Sequence, residues 1–352
     1  MRGTEKETPL PLVQIGLGSV GQALLGLIEG REGDEFLHVG FADSDGLLLD
    51  EEGFAPAELR ELRQLKEEDG SLRDFPRGQF TQLEGLEDFF IAFAGRSGAL
   101  LDLSDGEGLF PYYMSSARAD WSVVLANKKP LAEASYEQFC SLKNLGLKYE
   151  ATVGAGLPVI KTLERLRQGG EAIREIRGIM SGSLAFIFNR LEDGLSLKEA
   201  VEEARERGYT EPDPREDLSG GDVARKALIL ARSLGGDWEL SDIRLEPLLP
   251  SDETIDLEEQ LLRLGPSLRG RVEQAREDGK RLRYLARVGD GPPRVGLGEV
   301  DRDSQLARSS GTANVFSFST DNYRQPQLTI QGPGAGPVVT AGGVLADLAE
   351  LV

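Results

Sequence analysis

The period of apolar and polar positions changes several times along the chain, and each change marks an element. Residues 11–21, PLVQIGLGSVG, carry an apolar run into a glycine-rich turn, and QALLGLIE after it repeats apolar residues at helical spacing. A second apolar run, FLHVGFAD, closes at Asp43, and residues 50–75 are polar and read as helix or loop. FFIAFAGRSGALLDLSD (89–105) holds the next apolar run and closes at Ser104 and Asp105. PYYMSSARAD reads as helix, WSVVLANKKPL as strand then loop, SYEQFCSLKNLG as a helix stopped by Gly146, and LKYEATVG as a strand. Strands alternating with helices predict an α/β unit with a parallel, doubly wound sheet.

After about residue 150 the pattern is different. GLPVIKTLERLRQGG predicts a helix with Pro158 in its first turn. IREIRGIMSGSLAFIFNRLEDG predicts a strand, a Gly/Ser turn and a helix, and SLKEAVEEARERGY a further helix. GGDVARKALILARSLG has a strong amphipathic period. KRLRYLARVGDGPPRVGLGEV reads as two strands about a Gly/Pro turn; NVFSFSTD and QPQLTIQGPGAG follow, and TAGGVLADLAELV reads as a closing helix. The chain shows no internal repeat and no low-complexity tract.

Composition narrows the chemistry. With 352 residues the chain is long enough for two cores. Its 60 acids against 40 bases give a net charge of −20, a field that repels nucleic acid and anionic membrane. No apolar run reaches the length of a membrane span, and MRGTEKETPLP lacks a signal-peptide core, so a cytoplasmic protein is expected. The single cysteine, Cys140, excludes an internal disulfide and multi-cysteine metal sites. The single histidine, His38, lies in an apolar strand and is expected to be packed rather than catalytic. Triad mechanisms would have to run through it and are disfavoured.

Gly16-Leu17-Gly18-Ser19-Val20-Gly21 spells G-x-G-x-x-G between a strand and a helix. In such a loop one glycine makes the turn, one lets a pyrophosphate reach the backbone, and one lets helix pack on strand, while the helix N-terminus faces the phosphate. Asp43 follows Gly21 by 22 residues, near the spacing of a ribose-binding carboxylate. Asp45 adds a second charge, and FADSDGLLLDEE holds no Arg or Lys, so NAD is favoured over NADP.

A second constellation lies in the amphipathic helix. Asp222 and Lys226 are spaced i, i+4 and share a face. Glu211, Asp213 and Asp217 crowd the preceding loop between prolines. Such a unit offers carboxylates to an ammonium and a cation to a carboxylate or alkoxide, as a zwitterionic amino-acid substrate requires; an exposed structural ion pair is the alternative.

These segments resemble the homoserine dehydrogenase family. The likeness rests on Leu125-Ala126-Asn127-Lys128-Lys129-Pro130, on the long run from Gly208 to Lys226, on Glu150–Pro158, on Gly178–Leu184 and on Gln331–Gly336, in order along nearly the whole chain. It implies a Rossmann-type dinucleotide-binding domain over 1–148 completed by 321–352, and an α+β substrate and dimerisation domain over 149–320. It implies NAD or NADP as cofactor, and a homodimer. Lys226 would be the general acid/base, with Lys128 between substrate and nicotinamide. Glu211 and Asp222 would hold the substrate, Asp217 would support them, and Tyr209, Gly182 and Ser183 would line the pocket. Ser104 and Gly334 would join the glycine loop at the cofactor. Main-chain oxygens of Glu150, Val153, Ala155 and Leu157 would hold a sodium ion, with a plain glycine turn as the alternative. The implied reaction interconverts L-homoserine and L-aspartate 4-semialdehyde. The run closes at TAGGVLADLAELV, so threonine feedback through a C-terminal extension is not expected. Rival readings are a two-domain dehydrogenase for another small substrate and a non-catalytic NAD-sensing regulator. Aspartate-semialdehyde dehydrogenase is disfavoured because Cys140 lies in an ordinary helical stretch.

Overall fold

A computed structural model describes residues 8–31, 35–82, 97–249 and 254–352. The chain forms two compact units, Met1–Gly156 with Gly336–Val352, and Leu157–Ala335.

The first unit is built on six strands among the described residues: β1 (Leu10–Ile15), β2 (Phe36–Ala42), β3 (Leu47–Leu49), β4 (Gln79–Thr81), β5 (Gly98–Asp102) and β6 (Trp121–Leu125), in the order β4-β3-β2-β1-β5-β6. The four strands β2-β1-β5-β6 are parallel, whereas β3, near one edge, pairs antiparallel with both β2 and β4. The central strands are apolar at successive positions because both faces are covered. Leu12 and Leu101 face a core shared by Leu24 of helix Ser19–Glu29 and Val344 and Leu348 of helix Pro337–Leu348. The C-terminal helix therefore completes this unit. Phe41, Leu48, Phe54 and Leu62 form a second core. His38 is buried, stacks on Phe41 with ring centroids 5.1 Å apart, and is pushed down to a pKa of about 3 by desolvation.

One expectation needs correction here. LKYEATVG is not a strand: Lys148 makes one isolated bridge to Val124, and Glu150–Thr152 is a 3-10 turn. The Glu150 N–H donates to the Asp347 carboxylate at 2.9 Å, and left-handed backbone at Ala155 (φ 56°) ends any extension. Of the run 89–105, residues 89–96 lie outside the described residues, as do Met1–Glu7 of the lead-in.

The second unit carries a mixed sheet of β7 (Ile173–Ile179), β8 (Arg244–Leu245), β9 (Lys280–Gly289), β10 (Gly291–Asp301), β11 (Ala313–Thr320) and β12 (Leu328–Pro333), ordered β12-β11-β7-β9-β10-β8. Helices Gly182–Glu192, Gly221–Ser233 and Leu257–Glu277 pack against β9. Leu228, Ile229 and Leu230 are fully buried on the second of these, each contributing about 1.5–3 kcal/mol. The strands alternate: Ile176, Val288, Ala286, Phe316 and Phe318 are buried. Between them Arg177, Arg287, Arg294 and Arg244 are paired in register across four neighbouring strands.

The expected boundaries at 148/149 and 320/321 differ from the observed crossings at 156/157 and 335/336. The later second crossing follows from β12, which pairs antiparallel with β11 and so belongs to the second unit. Gly334 thus lies in the second unit, not the first. No described helix is long and apolar enough to cross a membrane.

Candidate active site

In the first unit the glycine loop has the geometry its three positions require. Gly16 has φ 91°, and a Cβ there would fall 2.7 Å from the Ser104 nitrogen. Gly21 starts its helix so close to β1 that a Cβ would fall 2.3 Å from the Gly16 carbonyl oxygen. At Gly18 an added Cβ would meet nothing within 4 Å. Gly18 is also the N-cap of helix Ser19–Glu29 and makes no side-chain cap. Gly18 and Ser19 are exposed, Val20 is half-buried and Leu17 is buried. The loop therefore presents free helix-terminal N–H groups beside open space, the cradle a pyrophosphate fits.

Asp43 follows β2 at the carboxyl edge of the sheet, where α/β folds bind ligands. Its Oδ1 accepts from the Asp45 N–H at 2.9 Å, and its Oδ2 from Lys66 Nζ at 3.1 Å. Ser71 Oγ donates to Asp45 at 2.7 Å. Lys66 comes from helix Pro56–Glu67. A cation therefore does stand at this point, although the local sequence offers none.

At the neighbouring strand ends, Asp102 forms a buried knot that the sequence reading missed. Its carboxylate accepts from Ser104 Oγ at 2.6 Å, from Asn127 Nδ2 at 2.9 Å and from the Tyr113 hydroxyl. Burial pushes its pKa up, and these hydrogen bonds oppose the shift. Asn127 Nδ2 also donates to the Gly106 carbonyl at 2.8 Å. The knot joins the loop after β5 to the loop after β6, and so fixes the backbone that carries Ser104 and Lys128. The only local signal was an acid closing the apolar run GALLD.

Nearby in the chain, Glu150 is buried and opens a 3-10 turn that Val153 ends, and Ala155 follows in left-handed turn backbone. Carbonyl oxygens are hard donors of the kind a hard cation takes. The Leu157 carbonyl accepts from the Val159 N–H at 2.8 Å.

In the second unit the structure brings together most of the remaining residues. Lys226 sits on helix Gly221–Ser233 with its side chain 12% exposed. Its Nζ reaches Asp222 Oδ2 at 2.8 Å and the Met180 carbonyl at 2.9 Å. Met180 follows β7 directly, just before Gly182 and Ser183 open the next helix, capped by Ser181 Oγ on the Leu184 N–H. Ser183 Oγ donates to Asp217 at 2.6 Å, and the second Asp217 oxygen accepts from the Glu211 N–H at 2.8 Å. Tyr209 is exposed and meets Phe186 edge-on with centroids 5.0 Å apart. Gly220, with φ 73°, starts the lysine helix where a Cβ would fall 2.0 Å from the Tyr284 hydroxyl. One face thus offers a partly buried ammonium group, a serine hydroxyl and three carboxylates. Asp217 has both oxygens engaged within the protein, so it orders the loop; the exposed Glu211 side chain heads it.

The family model described as homoserine dehydrogenase matches residues 158–349. A bifunctional aspartokinase/homoserine dehydrogenase of Haemophilus influenzae is 35% identical over 95% of this chain and 42% of its own length. The chain thus spans about two fifths of the curated relatives it matches. A crystal structure of a Candida auris protein of unknown function superposes with a TM-score of 0.85 at 28% identity, covering 97% of this chain and 98% of that one. A hyperthermophilic archaeal homoserine dehydrogenase in complex with NADPH gives 0.77 at 26% identity, covering 97% of each chain. The chain belongs to the homoserine dehydrogenase family.

Proposed function

We propose that this protein interconverts L-homoserine and L-aspartate 4-semialdehyde with NAD or NADP. The observation that carries the reading is the clasp of Lys226 by Asp222 and the Met180 carbonyl, beside the Ser183–Asp217–Glu211 chain of hydrogen bonds. In the oxidative direction C4 of homoserine loses a hydride and its hydroxyl loses a proton. Lys226 exchanges that proton at the C4 oxygen, and its charge stabilises the alkoxide as it develops. The Met180 carbonyl and Asp222 hold Nζ in place. Glu211 receives the substrate ammonium, Asp217 keeps the Glu211 backbone and Ser183 in position, and Gly182 and Tyr209 border the pocket. Asp222 shares its carboxylate between Lys226 and the substrate.

The nicotinamide ring, when bound, is the hydride acceptor. The cradle at Gly16–Gly21 suits its pyrophosphate, with Ser104 and Lys128 at the strand ends beside it. Asp43 and Asp45 favour an unphosphorylated ribose, and Lys66 offers a charge partner to a 2′-phosphate, so both cofactors are used. Main-chain oxygens of Glu150, Val153, Ala155 and Leu157 would hold a sodium ion, a hard cation that takes oxygen donors. The protein acts as a homodimer. The row Arg177–Arg287–Arg294–Arg244 supports this: like charges side by side repel, and an acidic second copy would offset them.

Substrate-resolved turnover tests the reading: homoserine is oxidised with either cofactor, while serine, threonine and glycerate are not. Faster turnover of one of those would assign a different dehydrogenase, and cofactor binding without any turnover would assign a regulator.

A further inference from the structure

Gln14 is a carboxamide in an otherwise apolar stretch. It lies on β1, between β2 and β5, and its neighbours Leu12, Val13 and Ile15 are buried hydrocarbon. Gln14 is itself 0% exposed, and its Oε1 has no hydrogen-bond partner among the described residues. A buried amide is disfavoured unless hydrogen bonds offset its lost hydration. The bond that Gln14 does make runs to the glycine loop: Nε2 donates to the Gly16 carbonyl at 2.9 Å. A Cβ at Gly21 would fall 2.7 Å from the same Nε2, so the amide fills the gap between β1 and the start of helix Ser19–Glu29.

A second glutamine holds the peptides that follow. Gln22, half-buried near the start of that helix, donates its Nε2 to the Leu17 carbonyl at 3.1 Å and its backbone N–H to the Gly18 carbonyl at 2.9 Å. Three successive carbonyls, those of Gly16, Leu17 and Gly18, are therefore each held by a glutamine. In a planar trans peptide the carbonyl and the following N–H point in opposite directions. Holding the three carbonyls thus fixes the directions of the Leu17, Gly18 and Ser19 N–H groups. The last two stand at the helix N-terminus, where an anion is received.

Glycine at 16 and 18 leaves an unheld loop many backbone conformations. Ordering such a loop at the moment of binding subtracts from affinity, and a loop already in its bound form avoids that loss. We propose that Gln14 and Gln22 are positioning residues that preset the glycine loop for the cofactor pyrophosphate. Gln14 acts from within the sheet through the Gly16 carbonyl, and Gln22 from the helix through the Leu17 carbonyl. The inference rests on the dinucleotide reading of this loop. It gives both side chains a role in affinity for any ligand that carries the pyrophosphate, and none in hydride transfer.

Gln14→Met and Gln22→Met each keep the aliphatic stem and remove the donor. Both are tested by the Kd for NADH and for ADP-ribose, which has the pyrophosphate but no nicotinamide, and by separate KM values for cofactor and homoserine. The expected result in each variant is a Kd raised about 3–10-fold for both ligands, the span of one neutral hydrogen bond, with the cofactor KM rising in step. The kcat at saturating cofactor and the homoserine KM stay put. Where Gln14→Met does not fold, the half-buried Gln22→Met carries the test with the same expected rise. An unchanged Kd for both ligands, whatever the melting temperature, would overturn the inference and make the glutamines structural. A homoserine KM that rises as much as the cofactor KM would overturn it too, as a general loss of structure. Wild-type protein that binds neither NADH nor ADP-ribose would overturn the dinucleotide reading itself, and this inference with it.

Discussion

Replacing Lys226 separates the two contacts that the structure gives its ammonium group from the proton transfer proposed for it. Lys226→Met keeps most of the aliphatic stem packed and removes Nζ. Asp222 is 40% exposed, so water replaces its lost partner at little cost. Met180 is buried, and its carbonyl loses the Nζ donor at 2.9 Å, a deficit of about 1–3 kcal/mol. For a unit of this size that lowers Tm by roughly 2–10 °C. The catalytic loss is larger: kcat falls by about 10²–10⁴, or about 3–5 kcal/mol, the usual range for a missing general acid/base. Lys226→Arg is the sharper companion. A guanidinium keeps the charge but does not release a proton near neutral pH. If Lys226 moves a proton, arginine is as inactive as methionine; if it only supplies charge, arginine restores turnover. Steady-state kinetics with a cofactor Kd and a thermal melt on each variant read all three quantities. A kcat within tenfold of wild type for Lys226→Met, with Tm maintained, would refute the assignment.

Lys66→Ala should raise the KM for NADP by about 10–100-fold, the loss of one charge-assisted hydrogen bond, and leave that for NAD within about threefold; equal effects on both cofactors would make the Asp43–Lys66 pair purely structural. Gly18→Ala should fold normally, since a Cβ there meets nothing within 4 Å, yet weaken cofactor binding by filling the cradle. Gly21→Ala drives a Cβ to 2.3 Å from the Gly16 carbonyl and should cost about 1–3 kcal/mol of stability; indistinguishable melts for the two variants would contradict the loop geometry. His38, held down to a pKa of about 3 against an ordinary 6.5, binds its proton more readily when unfolded. Stability is therefore fully present above about pH 6.5 and falls towards pH 3, by up to about 1.4 kcal/mol per pH unit. Denaturant melts of His38→Gln against pH should show a flatter acid limb, and an unchanged slope would remove His38 as its source.

What could be read from sequence was local. The glycine loop is legible because each glycine answers a constraint within a few residues, and Asp222–Lys226 because helical spacing puts both on one face. Lys66 was invisible because it reaches Asp43 from a helix 23 residues further on. The Asp102 knot gathers Tyr113 and Asn127 from separate elements. LKYEATVG carries the residues of a strand, but the Asp347 carboxylate, 197 residues away, captures the Glu150 N–H and a turn forms instead. The expected second boundary and the observed crossing between compact units differ because β12 is short and half-exposed, and its pairing with β11 leaves no clear period. The helix Leu257–Glu277 has no counterpart in the sequence reading; Pro266 lies inside it and interrupts its pattern.

The central claim is direct hydride transfer from C4 of homoserine to a nicotinamide ring. Homoserine carrying two deuterium atoms at C4, turned over by the wild-type protein with NAD and then with NADP, tests it most directly by mass spectrometry of both products. The account predicts one deuterium in the reduced cofactor and one retained on the aldehyde carbon, in equal amounts. Reduced cofactor without deuterium, or no turnover with either cofactor, would contradict it.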